Sequence, residues 1–374
     1  MPGSFRIGNL LGIPLYINVS WLVIFAVVTL SLAHGQFPAV FPGWSPPLAL
    51  GVAVVTSLLF FTSIVIHEMA HSLVARSIGL PVRSITLFIL GGVAQIKRDA
   101  THPGAELAMA AAGPLASFAL SALFATIWAL TRNAWEPVPA VAAWLAFNNF
   151  VLGAFNMLPG YPMDGGRVLR ALLWWATGNQ RLATRIAVLI GRGMAYGMIT
   201  MGVTVIVLNP AQYLTGAQFA FVGWFLNMAA SSSGRQARLR DALEGYTAGD
   251  LMSPNLVSVP GHLPVQRVVE DYLSPEVLRR GLIVVDGSRL RGLVSMSDLH
   301  RVPKQQRAYT AVSDAMTPVA RLSAIDPTMS ALAALEEMEE RSVSQLPVVR
   351  AGVLAGVVTR FALLGPLQLQ KVAW

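Results

Sequence analysis

The chain of 374 residues contains no cysteine. That removes disulfides, thiolate metal ligands and a cysteine nucleophile together. Any metal must therefore be held by His, Asp or Glu, a donor set that suits a catalytic zinc better than a closed structural one. Charge is scarce as well: 12% of the residues are Asp, Glu, Lys or Arg, about half the share in soluble domains. Hydrophobic residues make up 54%. They concentrate before residue 230, and many of the charges fall after it, which points to a membrane domain followed by a soluble one. The net charge of +8 does not indicate nucleic acid, because the basic residues flank apolar runs as membrane topology requires.

Six segments are long and apolar enough to cross a hydrocarbon core of ~30 Å: 13–33, 49–75, 105–130, 139–158, 186–208 and 213–230. No small-residue cleavage site clearly follows the first, so it reads as an uncleaved span. One set of loops carries Arg6, then Arg76, Arg83, Lys97 and Arg98, then Arg167, Arg170, Arg181 and Arg185, then Arg235, Arg238 and Arg240. The opposite set carries only Arg132. The positive-inside rule puts both termini in the cytoplasm of a multi-pass cell-membrane protein. Arg192 interrupts the fifth run and reads as a side chain snorkelling to that face, with substrate gating as the alternative.

Within the second span lies His67-Glu68-Met69-Ala70-His71. The i, i+4 spacing stacks two imidazoles on one helical face, the separation at which both can reach a single tetrahedral zinc. Glu68 adjoins the first ligand, where a carboxylate can take a proton from water. An ionisable trio at membrane depth is costly and marks function; a structural metal site is the plainer reading. With Arg76 near the interface, a rise of 1.5 Å per residue puts His67 ~14 Å deep, within reach of water through a modest cavity.

A third ligand has to come from elsewhere. The fourth span ends in Asn156-Met157-Leu158-Pro159-Gly160-Tyr161-Pro162-Met163-Asp164-Gly165-Gly166-Arg167. Pro159 and Pro162 cannot continue a helix, and Gly165 and Gly166 permit a tight reversal. Irregular backbone at membrane depth is tolerated only against protein or a wet cavity. Topology returns this segment to the side of His67, so Asp164 is the carboxylate best placed as third ligand; taken alone, the segment reads as a helix cap and surface turn. His102, with Glu106 in the charged approach to the third span, is a spare donor that reads as solvated. That span opens with Ala111-Ala112-Gly113-Pro114, small residues that let helices approach closely. Val82 to Ile96 is β-prone, interrupted by Gly91-Gly92 and too short to span as a helix. It reads as a hairpin or re-entrant sheet whose open edge could accept an extended substrate as an added strand, or as a plain interfacial hairpin.

Together, H-E-x-x-H on one span and N-x-x-P-x-x-P-x-D-G-G at the end of a later one resemble the site-2 protease family of intramembrane metalloproteases. The resemblance covers roughly residues 1–230. It implies that His67, His71 and Asp164 bind one zinc ion and that Glu68 is the general base or acid. It also implies that Asn156 lies near the substrate carbonyl, where its amide could steady the developing oxyanion. Gly91-Gly92 and Ala112-Gly113-Pro114 also look like family features.

Beyond a polar, basic linker from Ser231 the chain repeats itself. Asp250-Leu251-Met252-Ser253-Pro254 recurs 64 residues later as Asp314-Ala315-Met316-Thr317-Pro318, and Gly281 to Ser295 recurs as Gln345 to Thr359. Each copy offers a helix, a β-hairpin and a final helix. This looks like a tandem pair of CBS (cystathionine β-synthase) domains, a family that often binds adenine nucleotides such as ATP or AMP. Ser295 and Asp298 match its hydroxyl and ribose-binding carboxylate. Thr359 matches the hydroxyl of the second copy, but Ala362 stands where the aspartate belongs. One nucleotide site is expected there, and a structural dimerisation module is the alternative.

The expected architecture is a polytopic α-helical membrane domain of about six spans with a short membrane-associated β-hairpin, followed by an α/β tandem CBS module. The expected limits are 1–230 for the membrane domain, 231–245 for the linker, and 246–305 and 306–374 for the CBS repeats. The expected activity is zinc-dependent hydrolysis of a peptide bond in a membrane-embedded protein near the cytoplasmic face. A membrane-tethered transcription regulator fits the family as substrate, and the CBS pair fits a homodimer. A CBS-gated channel or transporter and an inactive zinc-stabilised scaffold are the alternatives.

Overall fold

A computed structural model of the chain describes residues 3–89, 91–96, 100–272, 282–287, 289–341, 343–350 and 353–364. Lys97 and Arg98, part of the basic loop set, and Gly281, the start of one repeat, lie outside the described residues. Two compact units divide at Gly234 and Arg235.

The first unit begins with a hairpin, β1 (Ser4–Leu10) and β2 (Ile13–Asn18). Leu11 and Gly12 turn it with φ of 50° and 80°, the left-handed backbone that a two-residue hairpin turn requires. Arg76 Nη1 donates to the Leu11 carbonyl at 2.6 Å. Ile13–Asn18 therefore does not belong to the first span, which starts where Asn18 caps α1 (Val19–Ser31) by accepting from the Ser20 N–H. Alternation that a strand would show is invisible within a run of apolar residues.

Five helical stretches among the described residues are long and apolar enough to cross a membrane: Val19–Val40, Pro46–Ser77, Pro103–Leu130, Pro137–Asn156 and Gln180–Leu208. The first joins α1 to a short helix, α2 (Phe37–Val40), through a π turn. The others are α3 (Pro46–Ser77), α4 (Pro103–Leu130), α5 (Pro137–Asn156) and, after the shorter α6 (Asp164–Thr177), α7 (Gln180–Leu208). The sixth expected span lies in a long helix, α8 (Tyr213–Leu243), but Gln218 and Asn227 dilute its apolar character and it is not among the five. The segment 231–245, expected as a polar, basic linker, is helical as far as Leu243. Leu22, Val23, Val27 and Leu30 of α1 and Leu115 and Leu123 of α4 are exposed, the surface that lipid would cover. Side-chain hydrogen bonds also join the helices: Thr29 Oγ1 donates to Ser57 Oγ at 2.9 Å, and Asn149 Nδ2 to Ser63 Oγ at 3.3 Å, bonds of the kind that hold helices together where lipid offers no alternative.

The hairpin expected from Val82 to Ile96 is present as β3 (Val82–Phe88) and β4 (Gly91–Ile96). It extends the N-terminal hairpin into one four-stranded sheet in the order β1-β2-β3-β4, with β2 and β3 parallel. β4 is an edge strand.

Gly165 and Gly166 do not make a reversal. They occupy the first turn of α6, and a Cβ on either would run into the backbone of Met157–Tyr161. Their missing side chains let the start of α6 fold back onto the loop that precedes it.

In the second unit, β5 (Val257–Pro260), β6 (Leu282–Asp286), β7 (Arg289–Val294) and β8 (Thr317–Pro318) form one sheet in that order. β9 (Gln345–Arg350) and β10 (Val353–Thr359) pair antiparallel. The repeats exchange strand ends: Thr317 at the start of the second copy pairs with Leu293 of the first, and Ser253 at the start of the first bridges to Val357 of the second. Gly292 and Gly356 lie at the two equivalent crossings, where a Cβ would strike the Thr317 and Ser253 carbonyls. Two buried cores result, one around Val259, Val284 and Leu299 and the other around Val348, Met338 and Val358.

Candidate metal centre

α3 carries His67 and His71 with both rings buried. The loop after α5 brings Asp164, first residue of α6, against them. Asp164 Oδ2 lies 3.2 Å from His67 Nε2 and 3.0 Å from His71 Nε2, and the two Nε2 atoms are 3.2 Å apart. Among the described residues these three form the one group of His, Asp and Glu donors close enough to share a metal ion.

The opposite face of each ring is also held. His71 Nδ1 lies 2.7 Å from the Met109 carbonyl, and His67 Nδ1 lies 2.9 Å from Ser117 Oγ. A carbonyl only accepts, so His71 must donate from Nδ1, which leaves its Nε2 lone pair facing inward. Ser117 Oγ can accept from His67 Nδ1–H as well as donate to it, and in the first arrangement His67 Nε2 also turns a lone pair inward, beside His71 Nε2 and Asp164 Oδ2. Tetrahedral zinc with ligands at about 2.0–2.1 Å sets its donors about 3.3–3.4 Å apart, close to the separations found. The residues fit zinc, and the ring hydrogen bonds are the outer contacts that orient metal-binding histidines.

Glu68 accepts the Ala94 N–H of β4 on Oε2 at 3.1 Å, so the sheet edge and the helix meet at this carboxylate. Gly92 lies against it: a Cβ there would sit 2.6 Å from Glu68 Cγ. Gly91 has φ of 126° and begins β4. Asn156 ends α5, with its amide donating to the Leu152 carbonyl at 2.9 Å, a bond within its own helix. His102 is the N-cap of α4, where its Nδ1 accepts from the Ala105 N–H at 3.1 Å; it is not one of the three grouped donors. Arg192 is exposed, with Tyr196 OH at 3.5 Å.

Sequence reasoning missed the contribution of α4. Glu106 is fully buried, and its Oε1 accepts from Arg167 Nε at 3.1 Å and Arg170 Nη2 at 2.6 Å. Met109 and Ser117 hold the rings, and Gly113 lies so close to both that no side chain fits. The available signal was a carboxylate in the first turn of an otherwise apolar helix, with two arginines three residues apart beyond Asp164.

In the second unit Ser295 and Asp298 form a capping box: Asp298 Oδ2 accepts from Ser295 N–H at 2.9 Å and from its hydroxyl at 2.6 Å. They line a cavity of 410 Å³ that also receives Thr317, Arg321, Arg341 and Ser344. Thr359 Oγ1 accepts from the Ala362 N–H at 3.1 Å, but Ala362 has no carboxylate to return the bond.

Comparison with known proteins agrees with both halves. The profile of Peptidase family M50 matches residues 55–134 and 129–200, and the CBS domain profile matches 248–304 and 312–367. A Synechocystis protein bearing a zinc-metalloprotease name is 33% identical over 98% of this chain and 96% of its own. Rip3 of Mycobacterium tuberculosis, named likewise, is 32% identical over 96% and 91%. The solved site-2 protease of Methanocaldococcus jannaschii is 29% identical over 62% of this chain and 94% of its own, with a TM-score of 0.44. The paired motifs, the apolar helices and relatives similar along nearly their whole length agree: the chain belongs to the M50 peptidases, the site-2 protease family of zinc metalloproteases, with a tandem CBS pair at its C-terminal end.

Proposed function

We propose that His67, His71 and Asp164 hold the zinc ion and that Glu68 moves the proton in hydrolysis of a peptide bond within a membrane-embedded protein, near its cytoplasmic face. The observation that carries this reading is the convergence of Asp164 Oδ2, His67 Nε2 and His71 Nε2 at 3.0–3.2 Å from one another, close to the spacing of three donors around one tetrahedral zinc. Zinc, when bound, supplies a Lewis acid and makes a nucleophile of water near neutral pH. Glu68, with Oε2 held by Ala94, keeps Oε1 to accept the proton of the attacking water and deliver it to the departing amine. An extended substrate segment adding to the edge at Gly91 and Gly92 would present its carbonyl beside Glu68. Asn156, released from its bond to Leu152, would donate to the oxygen on which charge develops.

The same reading makes the activity one of regulated intramembrane proteolysis, with a membrane-tethered transcription regulator as the fitting substrate. The basic loops favour cytoplasmic termini and a cytoplasmic CBS pair, and the pair favours a homodimer. Adenine nucleotide bound beside Ser295 and Asp298 modulates the rate, whereas Ala362, standing where the second copy would carry its ribose-binding aspartate, makes a second site weak. The deciding experiment measures zinc content and cleavage of a membrane-embedded reporter by wild type and Glu68→Gln. Zinc retained without cleavage supports the proposal; cleavage by Glu68→Gln at the wild-type rate defeats it.

A further inference from the structure

Four positions lie on one stripe of α4, and three of them touch the metal centre. The Met109 carbonyl holds His71, Gly113 gives both rings room, and Ser117 holds His67. The fourth, Glu106, touches neither ring. It engages Arg167 and Arg170 on α6, the helix whose first residue is Asp164. The spacing 106, 109, 113, 117 is that of a single helical face.

Arg167 stands three residues after Asp164 on α6, the separation at which helical side chains of opposite charge pair. Its guanidinium bonds Glu106 across the helix interface, and the spacing makes Asp164, one turn back, the other carboxylate with which it could pair. A carboxylate bonded to arginine has given up lone pairs and charge that a metal would use. Both arginines donate to the same Oε1 of Glu106, whose side chain is wholly buried while those of Arg167 and Arg170 are 24% and 8% exposed. An anion buried this deeply is kept only by such partners.

We propose that Glu106 is a positioning residue of the metal centre: it occupies Arg167 and Arg170, so that Asp164 stays turned toward the two histidines instead of closing onto Arg167. This rests on the reading of Asp164 as a zinc ligand.

The test uses full-length protein in detergent micelles, with zinc affinity measured by chelator competition and folding followed by thermal unfolding. Glu106→Gln should weaken zinc by ~10–100-fold, the usual effect of losing an outer-shell partner. Removing the competitor as well, in Glu106→Gln/Arg167→Gln, should bring affinity back to within ~3-fold of wild type, a non-additive recovery that a general packing role would not give. Arg167→Gln alone should stay within the same range. Wild-type affinity in folded Glu106→Gln overturns the proposal, and so does loss of zinc in Arg167→Gln. If Glu106→Gln does not fold, the double variant decides: folded and zinc-binding, it supports the proposal. Folded without zinc, or unfolded too, it overturns it, since Glu106 would then do more than occupy Arg167. Asp164→Ala separates the two layers. If it keeps wild-type affinity, the ligand assignment fails and this inference with it; if it loses zinc while Glu106→Gln does not, only the inference fails.

Discussion

Gly113 on α4 faces His67 across a gap too small for a methyl group: a Cβ at Gly113 would lie 2.6 Å from His67 Nε2, and His71 is closer still. The two imidazoles occupy the space a side chain would take, so this glycine is required by a close approach, while its helical backbone would accept any residue.

Gly113→Ala should accordingly displace one or both rings. The expected result is a loss of zinc affinity of ~10–100-fold, with the helix itself gaining slightly in intrinsic preference. Zinc titration of the purified variant, alongside its far-ultraviolet circular dichroism, checks that the damage is local.

Glu68→Gln should keep zinc and reduce cleavage by ~10²–10⁴-fold, the range for losing a general base. Gly92→Ala touches the same carboxylate from the other side, through a Cβ 2.6 Å from Glu68 Cγ. It should lower cleavage while leaving zinc content unchanged, because the clash falls on Glu68 and not on the metal-facing atoms. Single-turnover cleavage with matched metal analysis separates the two effects.

Asp164→Ala should abolish stoichiometric zinc at ordinary concentrations. Chelation of the wild type should lower its unfolding temperature, since a ligand present at ~1,000 times its Kd contributes about 4 kcal/mol to the folded state. The variant should show no such zinc-dependent shift. Unchanged metal content in Asp164→Ala would point to another third ligand.

Asp298→Ala should weaken binding of AMP or ATP by ~10-fold or more and also remove one arm of the Ser295 cap, at a stability cost of about 1 kcal/mol. Ala362→Asp, which would complete the second capping box beside Thr359, should leave the first site intact. Isothermal titration of full-length protein with each nucleotide reads both; identical affinities in wild type and Asp298→Ala would remove the ribose role.

How much of this was legible beforehand differs by element. The hairpin at Val82–Ile96 could be read because its β-branched residues are broken by Gly91-Gly92 between helices of another character. Ile13–Asn18 could not, because an apolar strand running into an apolar helix has no change of period to mark the boundary. The C-terminal repeat was plain from its 64-residue offset, yet the exchange of strand ends at Thr317 and Ser253 depends on how the copies pair. In the sequence Glu106 is a lone charge in the polar approach to an apolar helix; its two arginines lie more than sixty positions away.

By itself the sequence determined what covalent spacing can determine. Two imidazoles four residues apart on a helix must share a face, and a chain without cysteine must bind metal through nitrogen and oxygen. Only the tertiary structure decided that Asp164, 97 positions from His67, meets them at 3.0–3.2 Å, and that α4 supplies the contacts fixing each ring. Those relations arise between helices brought together by glycine-sized gaps and a buried ion cluster, and no local pattern along the chain records them.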